Sequence, residues 1–234
     1  MKSLAVIVAR GNSKRLPKKN LKKIGKLPLV YWTCLAAKKS AINKVIVSSE
    51  NDEILKVSER AGIKKIFKRP KKLTKDFTLD LDIIYNALKN AEKSFNQKFD
   101  IVCYLQPTTP FLRKNDINKC LKKLIKENLS CVFTARPVKE HPRLMWKLKK
   151  NKLVPVLQGR IKQKEQFFQK LDKYYIPDGG IWCMKTSEIR KQKTQYAKPI
   201  GVIIVNKKYS IDIDHYEDLF LARNYFKKYK IKPN

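Results

Sequence analysis

The sequence predicts an α/β fold in three layers, with helices on both faces of a mostly parallel sheet. Short apolar strand patterns alternate with amphipathic helix patterns along residues 4–135, and this alternation is typical of parallel sheets. The run at residues 100–105 is almost entirely apolar, so it is predicted to be a central strand. A length of 234 residues and a hydrophobic fraction of 43% suit one domain with a sizeable core.

The first half of the chain supplies the regular part of this pattern. Pro17 and the charges around it keep the segment after the first strand an open loop, and a helix begins only near Leu29. Gly62 ends the second helix, which Ser49, Asn51 or Asp52 can cap. Strands are predicted at residues 4–8, 44–48, 63–68, 100–105 and 130–135, and helices at residues 29–40, 52–61, 79–91 and from 115 onwards.

The rhythm changes after Pro142. Two apolar patches within residues 144–157 flank a polar lysine-rich turn and predict a β-hairpin. This hairpin either packs on a partner subunit or is a surface flap. Residues 142–172 therefore form a predicted hairpin and helix insertion within a domain that spans residues 1–234. Strands follow at residues 179–184 and 200–205, then an extended segment at 210–214 and a helix at 216–229.

Charge, hydropathy and cysteine content limit the classes of function that the protein can have. With 54 Lys+Arg against 20 Asp+Glu the net charge is +34, but the lysines are spread along the chain and no aromatic–basic RNA-binding signature occurs, so nucleic-acid binding is a minority hypothesis. No segment approaches about 18 consecutive apolar residues, and no signal-peptide pattern follows Met1. The five scattered cysteines predict buried free thiols in a reducing cytoplasm.

The loop after the first strand is the first candidate site. Its backbone N–H groups and cations suit a polyphosphate, although it lacks the spacing of the common ATP/GTP phosphate loop. The alternative is a glycine turn followed by a solvated basic loop. The loop reads Ala9-Arg10-Gly11-Asn12-Ser13-Lys14-Arg15-Leu16-Pro17-Lys18-Lys19-Asn20.

A second candidate site lies near the other end of the chain. Asp212 and Asp214 stand two residues apart in an extended segment, so both side chains point to the same side. Hard carboxylate oxygens on one edge are what Mg²⁺ prefers. The structural alternative is a helix capping box between Asp214 and Glu217.

Polar residues also follow two other predicted strands. Arg69 precedes Pro70 and is either a turn residue or a ligand for phosphate or a nucleobase. Gln106 ends the central strand and carries both donor and acceptor groups for a base or a sugar hydroxyl. Because ligands of open α/β sheets bind at the carboxyl ends of the strands, these residues are expected to meet the opening loop.

Together these segments resemble the acylneuraminate cytidylyltransferase family, which comprises CMP-sugar synthetases. The opening loop is similar to that family's Ala-Arg-x-x-Ser-Lys-x-(Ile/Leu)-Pro-x-Lys-Asn motif. Four further segments resemble the family in the same order: Arg69-Pro70 with Leu73 and Asp76, Leu105-Gln106-Pro107-Thr108-Thr109-Pro110, Asp178-Gly179-Gly180, and Ile211-Asp212-Ile213-Asp214 with Asp218.

The resemblance implies a Rossmann-like sheet of the nucleotide-diphospho-sugar transferase type and transfer of CMP from CTP to a sialic-acid-like nonulosonic acid. It also implies a homodimer, with the hairpin at its interface. Lys19, Asp212 and Asp214 with Arg10 would be catalytic, and the two aspartates would ligate Mg²⁺. The nucleotide would be held by Arg10, Ser13, Lys14, Lys19, Asn20, Arg69 and Asp80, and the sugar by Gln106, Gln169 and Asp178.

Three positions depart from the family pattern. Asp80 stands where the family often has a small hydroxyl residue, and it can accept from the cytosine amino group. Asp178 replaces the usual asparagine, and Phe168 replaces an arginine that would ordinarily meet the sugar carboxylate. The two alternative functions are a cytidylyltransferase for the eight-carbon sugar Kdo and a catalytically silent, basic nucleic-acid-binding protein of the same fold.

Overall fold

The computed structural model describes residues 1–75, 77–157 and 171–233 of the chain. Within these ranges the strands are β1 (Ser3–Val8), β2 (Lys23–Ile24), β3 (Leu27–Pro28), β4 (Lys44–Ser49), β5 (Lys65–Lys68), β6 (Ile101–Leu105), β7 (Cys131–Pro137), β8 (Trp146–Lys149), β9 (Lys152–Pro155), β10 (Tyr175–Lys185) and β11 (Ile200–Ile204). The helices are α1 (Leu29–Lys38), α2 (Asp52–Arg60), α3 (Asp80–Phe95), α4 (Lys114–Lys126), α5 (Thr186–Gln192) and α6 (Tyr216–Lys228). Short 3-10 helices lie at Lys19–Leu21, Lys71–Leu73, Pro142–Leu144 and Lys207–Tyr209.

Seven strands form the main sheet, in the spatial order β11-β7-β10-β6-β1-β4-β5. Strands β6, β1, β4 and β5 are paired in parallel, and β11 is parallel to β7. Strand β10 runs antiparallel to both of its neighbours, β6 and β7. The sheet is therefore mostly parallel, as predicted, with one reversed strand inserted beside the central strand.

Alternation along β1 explains why both faces are covered. Ala5 and Ile7 face the cluster built with α1, α2 and α4, whereas Leu4 and Val6 face the cluster built with α3 and α5. All four side chains are fully buried. A strand that is apolar on both faces needs a helix layer on each, which is the three-layer arrangement that the sequence predicts.

A third apolar cluster ties the opening loop to the end of the chain. Leu16, in the loop, packs with Trp32 of α1 and with Ile213 and Leu219 near α6. Leu16 and Ile213 are both 0% exposed. This cluster therefore brings the two candidate sites, which are about 200 residues apart in sequence, to the same end of the molecule.

Most predicted elements are confirmed to within a few residues. The opening loop stays irregular until the 3-10 helix at Lys19–Leu21, and α1 begins at Leu29 as expected. The predicted hairpin forms as β8 and β9. Helix α5 and the small β2–β3 ribbon were not predicted. The helix of the predicted 142–172 insertion was expected at residues 163–171, of which the structure describes only residue 171.

All five cysteines are free and buried, which confirms the prediction of buried free thiols. Cys103 and Cys183 lie opposite each other on β6 and β10, with their Sγ atoms 2.8 Å apart. Burial raises the pKa of the Cys34 thiol to about 12, so it stays protonated. In the described ranges, none of the helices combines the length and the apolar character needed to cross a membrane.

Candidate active site

A cavity of about 360 Å³ opens at the carboxyl ends of β1, β5 and β6. Its walls come from segments that are far apart in sequence, because parallel strands all end at this edge. Eight residues that the sequence assigned to the site line it: Arg10, Lys19, Asn20, Arg69, Asp80, Gln106, Asp212 and Asp214. Tyr104, Thr108 and Thr78 contribute further polar groups.

The opening loop is held against the end of β4 by backbone and side-chain hydrogen bonds. Ala9 N–H donates to the carbonyl of Ser48 (3.2 Å), and Gly11 N–H donates to Glu50 Oε1 (2.6 Å). A Cβ at Gly11 would come within 2.7 Å of the Asn51 side chain, so glycine permits this close approach. The loop is thus fixed before it meets a ligand.

Lys19 forms an ion pair across the cavity with Asp214. Its Nζ lies 2.8 Å from Asp214 Oδ1, and Arg15 lies 3.0 Å from Asp214 Oδ2. Burial alone would raise the pKa of Asp214, but the hydrogen bond and charge of Lys19, together with Arg15, hold it below its ordinary value. The Lys19 side chain is 9% exposed, so this cation is positioned rather than free in solvent.

Asp212 has the opposite electrostatic situation. Solvent reaches it from the cavity, but protein surrounds it on the other sides, and this desolvation with the nearby Asp214 charge raises its pKa despite a hydrogen bond with Thr108. Gly179 is packed against it: with φ +80°, a Cβ at Gly179 would lie 2.9 Å from Asp212 Oδ2. The carboxylate therefore carries negative charge that a nearby cation would stabilise.

The segment that carries both aspartates is fixed at two points. Ile213 N–H donates to the carbonyl of Thr108 (2.9 Å), which ties the segment to the loop after β6. Asp218 Oδ2 accepts from the N–H groups of Asp214 (2.9 Å) and His215 (2.8 Å). The alternative of a capping box between Asp214 and Glu217 is therefore wrong by one residue, because His215 is the N-cap of α6 and Asp218 is its third residue.

Glu50 is a site residue that the sequence analysis missed. Its Oε2 lies 2.8 Å from Arg69 Nη2, while its Oε1 holds Gly11, so it connects two walls of the cavity. Burial opposes ionisation, yet the Arg69 hydrogen bond and the Gly11 N–H lower the pKa of Glu50. The signal in the sequence was its position two residues after the strand predicted at residues 44–48.

Two buried polar atoms on the cavity wall lack a hydrogen-bond partner among the described residues. They are Asn20 Oδ1, an acceptor, and Arg69 Nε, a donor. Asn20 uses its amide N–H to hold the Arg10 carbonyl at 2.8 Å, which turns its oxygen away from that contact. Because buried polar groups are normally paired, these two atoms indicate that a polar ligand completes the site.

A hydrogen-bond chain crosses the floor of the cavity. Tyr104 donates to Asp80 Oδ1 at 2.8 Å, and Gln106 Nε2 donates to the Tyr104 oxygen at 3.1 Å. The sequence analysis assigned Asp80 and Gln106 as separate ligand contacts, but the buried hydroxyl of Tyr104 connects them.

Of the four remaining assigned residues, three lie elsewhere in the part of the chain that the structure describes. Ser13 and Lys14 belong to the opening loop but do not line this cavity, and Gln169 lies outside the described residues. Asp178 is buried beside the cavity, where Oδ1 accepts from Thr134 (2.6 Å) and from Gly180 N–H (3.1 Å). Burial raises the pKa of Asp178 despite these bonds.

Asp212 and Asp214 fit a hard divalent cation. They offer carboxylate oxygens on one side of the cavity, and the charge of Asp214 adds to desolvation in raising the pKa of Asp212. Groups of three or more side chains suited to a metal are absent from the described residues, so two protein ligands would leave the remaining positions to water and to a phosphate.

Comparison with known proteins decides the family. The family described as cytidylyltransferase matches residues 4–229, which is nearly the whole chain. The chain belongs to the cytidylyltransferase family. It is therefore a nucleotidyltransferase enzyme, which accounts for a cavity with cations on one side and carboxylates on the other.

Relatives of this cytidylyltransferase are named as cytidylyltransferases or as the synthase of a CMP-sugar. It is 31% identical over 229 residues to the pseudaminic acid cytidylyltransferase of Campylobacter jejuni, covering 97% of each chain. It is 27% identical over 213 residues to a CMP-N,N'-diacetyllegionaminic acid synthase of the same organism, covering 90% of this chain and 89% of the relative. An N-acylneuraminate cytidylyltransferase B of Danio rerio is 33% identical over 131 residues, covering 56% of this chain and 30% of the relative.

Solved structures confirm the fold of this cytidylyltransferase. A CMP:2-keto-3-deoxy-manno-octonic acid synthetase complexed with CTP superposes with a TM-score of 0.71 at 17% identity, covering 98% of this chain and 100% of that one. The 4-diphosphocytidyl-2C-methyl-D-erythritol synthase of Anaerococcus prevotii gives a TM-score of 0.66 at 14% identity, covering 97% and 96%. At these identities the likeness concerns the fold.

Proposed function

We propose that this enzyme transfers CMP from CTP to the anomeric hydroxyl of a sialic-acid-like nonulosonic acid and releases pyrophosphate. The observation that carries the proposal is the convergence of Lys19 and Asn20, Arg69, Gln106 and the Asp212–Asp214 pair on one cavity. The relatives of similar length named for pseudaminic and legionaminic acids support the acceptor class.

The nucleotide would occupy the part of the cavity between the opening loop and Arg69. Arg10 and Lys19 would hold the phosphates. Ser13 and Lys14, which belong to the same loop, would hold the triphosphate with them. Asn20 Oδ1 needs a donor such as a ribose hydroxyl, and Arg69 Nε needs an acceptor such as the oxygen of a base. Asp80 would accept from the amino group of cytosine, which favours CTP over UTP.

The acceptor sugar would approach from the side of Gln106 and Asp178, with Gln169 as a further contact. In-line attack on the α-phosphate builds negative charge on its oxygens, and positioned cations stabilise that charge. Lys19 is suited to this role because its Nζ is already fixed between the loop and Asp214. Asp212 and Asp214 would hold Mg²⁺, which when bound would neutralise phosphate charge and lower the pKa of a nearby hydroxyl.

Pyrophosphate release tests this function directly. The purified protein is incubated with Mg²⁺, each of the four nucleoside triphosphates and a panel of pseudaminic, legionaminic, N-acetylneuraminic and Kdo acceptors. We expect release with CTP and at least one nonulosonic acid. Release with Kdo alone would favour the eight-carbon alternative. No release with any sugar, combined with tight RNA binding that weakens steeply with salt, would favour the silent nucleic-acid-binding alternative.

We also propose that the protein is a single domain that forms a homodimer through the 142–172 insertion, and that it works in the cytoplasm. Trp146, Leu148 and Leu153 lie on one face of the β8–β9 hairpin and are 51%, 66% and 64% exposed. Leu148 and Leu153 are directly opposite each other. An apolar hairpin face of this kind is typical of an interface. The five buried free thiols suit a reducing compartment.

The dimer is tested by mass measurement in solution. Sedimentation analysis of the wild type is expected to give twice the 27.4 kDa chain mass. Replacing both Leu148 and Leu153 by glutamate is expected to give a folded monomer, because two charges would be buried in the interface. Replacing Lys147 and Lys152 by glutamate, on the same hairpin, is the matched control. A monomeric wild type contradicts the proposal.

A further inference from the structure

Tyr104 occupies the centre of the sheet and reaches the cavity with one atom. It lies on β6, opposite Val6 of β1 on one side and Trp182 of β10 on the other. The residue is 3% exposed, and its ring meets the Trp182 ring at a centroid distance of 6.0 Å. The backbone and the ring packing therefore fix where its hydroxyl sits.

The hydroxyl has one proton, and its partners decide where that proton goes. Asp80 as a carboxylate only accepts hydrogen bonds, so the Tyr104 proton points to Asp80 Oδ1 at 2.8 Å. The Tyr104 oxygen can then only accept, and Gln106 must turn its NH₂ group toward it, at 3.1 Å. Burial and the Asp80 charge raise the pKa of Tyr104, which keeps the hydroxyl protonated.

This polarity determines what the two ends of the chain offer to a ligand. With its NH₂ group held by Tyr104, Gln106 keeps its amide oxygen for the cavity as an acceptor. Asp80 keeps its second oxygen, also as an acceptor. Without Tyr104, the amide of Gln106 could rotate and present either group.

We propose that Tyr104 is a positioning residue that fixes the direction of the hydrogen-bond chain Gln106→Tyr104→Asp80. As a result, the amide oxygen of Gln106 accepts a hydrogen bond from a hydroxyl of the acceptor sugar, and Asp80 accepts one from the amino group of the nucleotide base. The inference rests on the proposed function, because that function places the sugar beside Gln106 and the base beside Asp80. It assigns a shared orientation to two substrate contacts that lie on different elements, β6 with its following loop and α3.

The test replaces Tyr104 by phenylalanine, which keeps the ring against Trp182 and removes only the hydroxyl. Tyr85→Phe is the matched control: its hydroxyl donates to the Ile189 carbonyl at 2.7 Å and does not line the cavity. We expect Tyr104→Phe to raise the acceptor KM about tenfold and the CTP Kd about threefold or more, with a smaller change in kcat. Tyr85→Phe should leave all three constants unchanged.

A double variant separates positioning from a general structural effect. If Tyr104 acts on the sugar through Gln106, Tyr104→Phe adds little to the acceptor KM of a Gln106→Ala enzyme. The proposal would be overturned if the increases in acceptor KM of the two single variants multiplied in the double variant. It would also be overturned if the acceptor KM or the CTP Kd of Tyr104→Phe stayed within about twofold of wild type. If the wild-type enzyme uses no sugar of the panel, the proposed function fails, and the calorimetric CTP Kd alone then decides: a weaker Kd supports the role of Tyr104 and an unchanged Kd overturns it.

Discussion

Replacing Asp212 by asparagine is expected to lower kcat by at least about a hundredfold while the protein stays folded. Asparagine has nearly the same shape, but it removes a negative charge that faces the cavity beside Asp214. A divalent cation would then lose one of its two carboxylates, and the charge that develops on the phosphate would be less well compensated. Steady-state pyrophosphate release at saturating CTP and varied Mg²⁺ measures the loss.

The melting temperature provides a second, independent test of the Asp212→Asn substitution. The folded protein raises the pKa of Asp212, so ionised Asp212 costs folding free energy at neutral pH, and a neutral asparagine removes that cost. The melting temperature of Asp212→Asn, measured without metal, should be equal to or higher than that of wild type. Asp82→Asn, an exposed carboxylate on α3, is the control. Near-normal turnover in Asp212→Asn would remove Asp212 from the metal site.

Replacing Lys19 by methionine is expected to lower kcat by at least about a hundredfold as well. Lys19 is buried in the cavity wall, and its ammonium lies 2.8 Å from Asp214. Methionine fills a similar volume but supplies no charge to the phosphates. We expect the CTP Kd to rise less than kcat falls, because the cation acts mainly on charge that develops during transfer.

The neighbouring Lys18 offers a control with the same change of charge. Its side chain is 73% exposed and only loosely paired with Glu53 at 3.8 Å. Lys18→Met should keep kcat and the CTP Kd within about twofold of wild type, because surface pairs of this kind contribute little. Equal losses in the two variants would mean that the overall positive charge, and not the placement of Lys19, supports the reaction.

The sequence was sufficient for the parts of the fold and site that depend on local pattern and on strand direction. The apolar run of β6 predicts a central strand, and the ends of parallel strands meet at one edge of the sheet, which is where the cavity lies. The alternation of Asp212, Ile213 and Asp214 indicated which side chains face the cavity, and Ile213 is indeed fully buried.

Other features depend on partners that no local pattern reveals. A strand was predicted at residues 179–184 and forms as β10, but its reversed direction depends on which neighbours it joins, β6 and β7. Glu50 became a site residue only because Arg69 and Gly11 converge on it from separate loops. Tyr104 looked like an ordinary core residue in an apolar strand, and only the position of Asp80 gives its hydroxyl a role.

The reversed strand also constrains the order in which the molecule can be completed during synthesis. Strands β1, β4, β5 and β6 pair with one another and need nothing beyond residue 105. Strand β7 is made next, but β10 separates it from β6, so β7 has no place in the sheet until residue 185 has been synthesised. In a nascent chain β1, β4, β5 and β6 can therefore pair while β7 still lacks its neighbours in the sheet, and the segment with Asp212 and Asp214 is synthesised later than both. The opening loop is therefore synthesised well before Asp212 and Asp214, whose carboxylates lie on the other side of the same cavity.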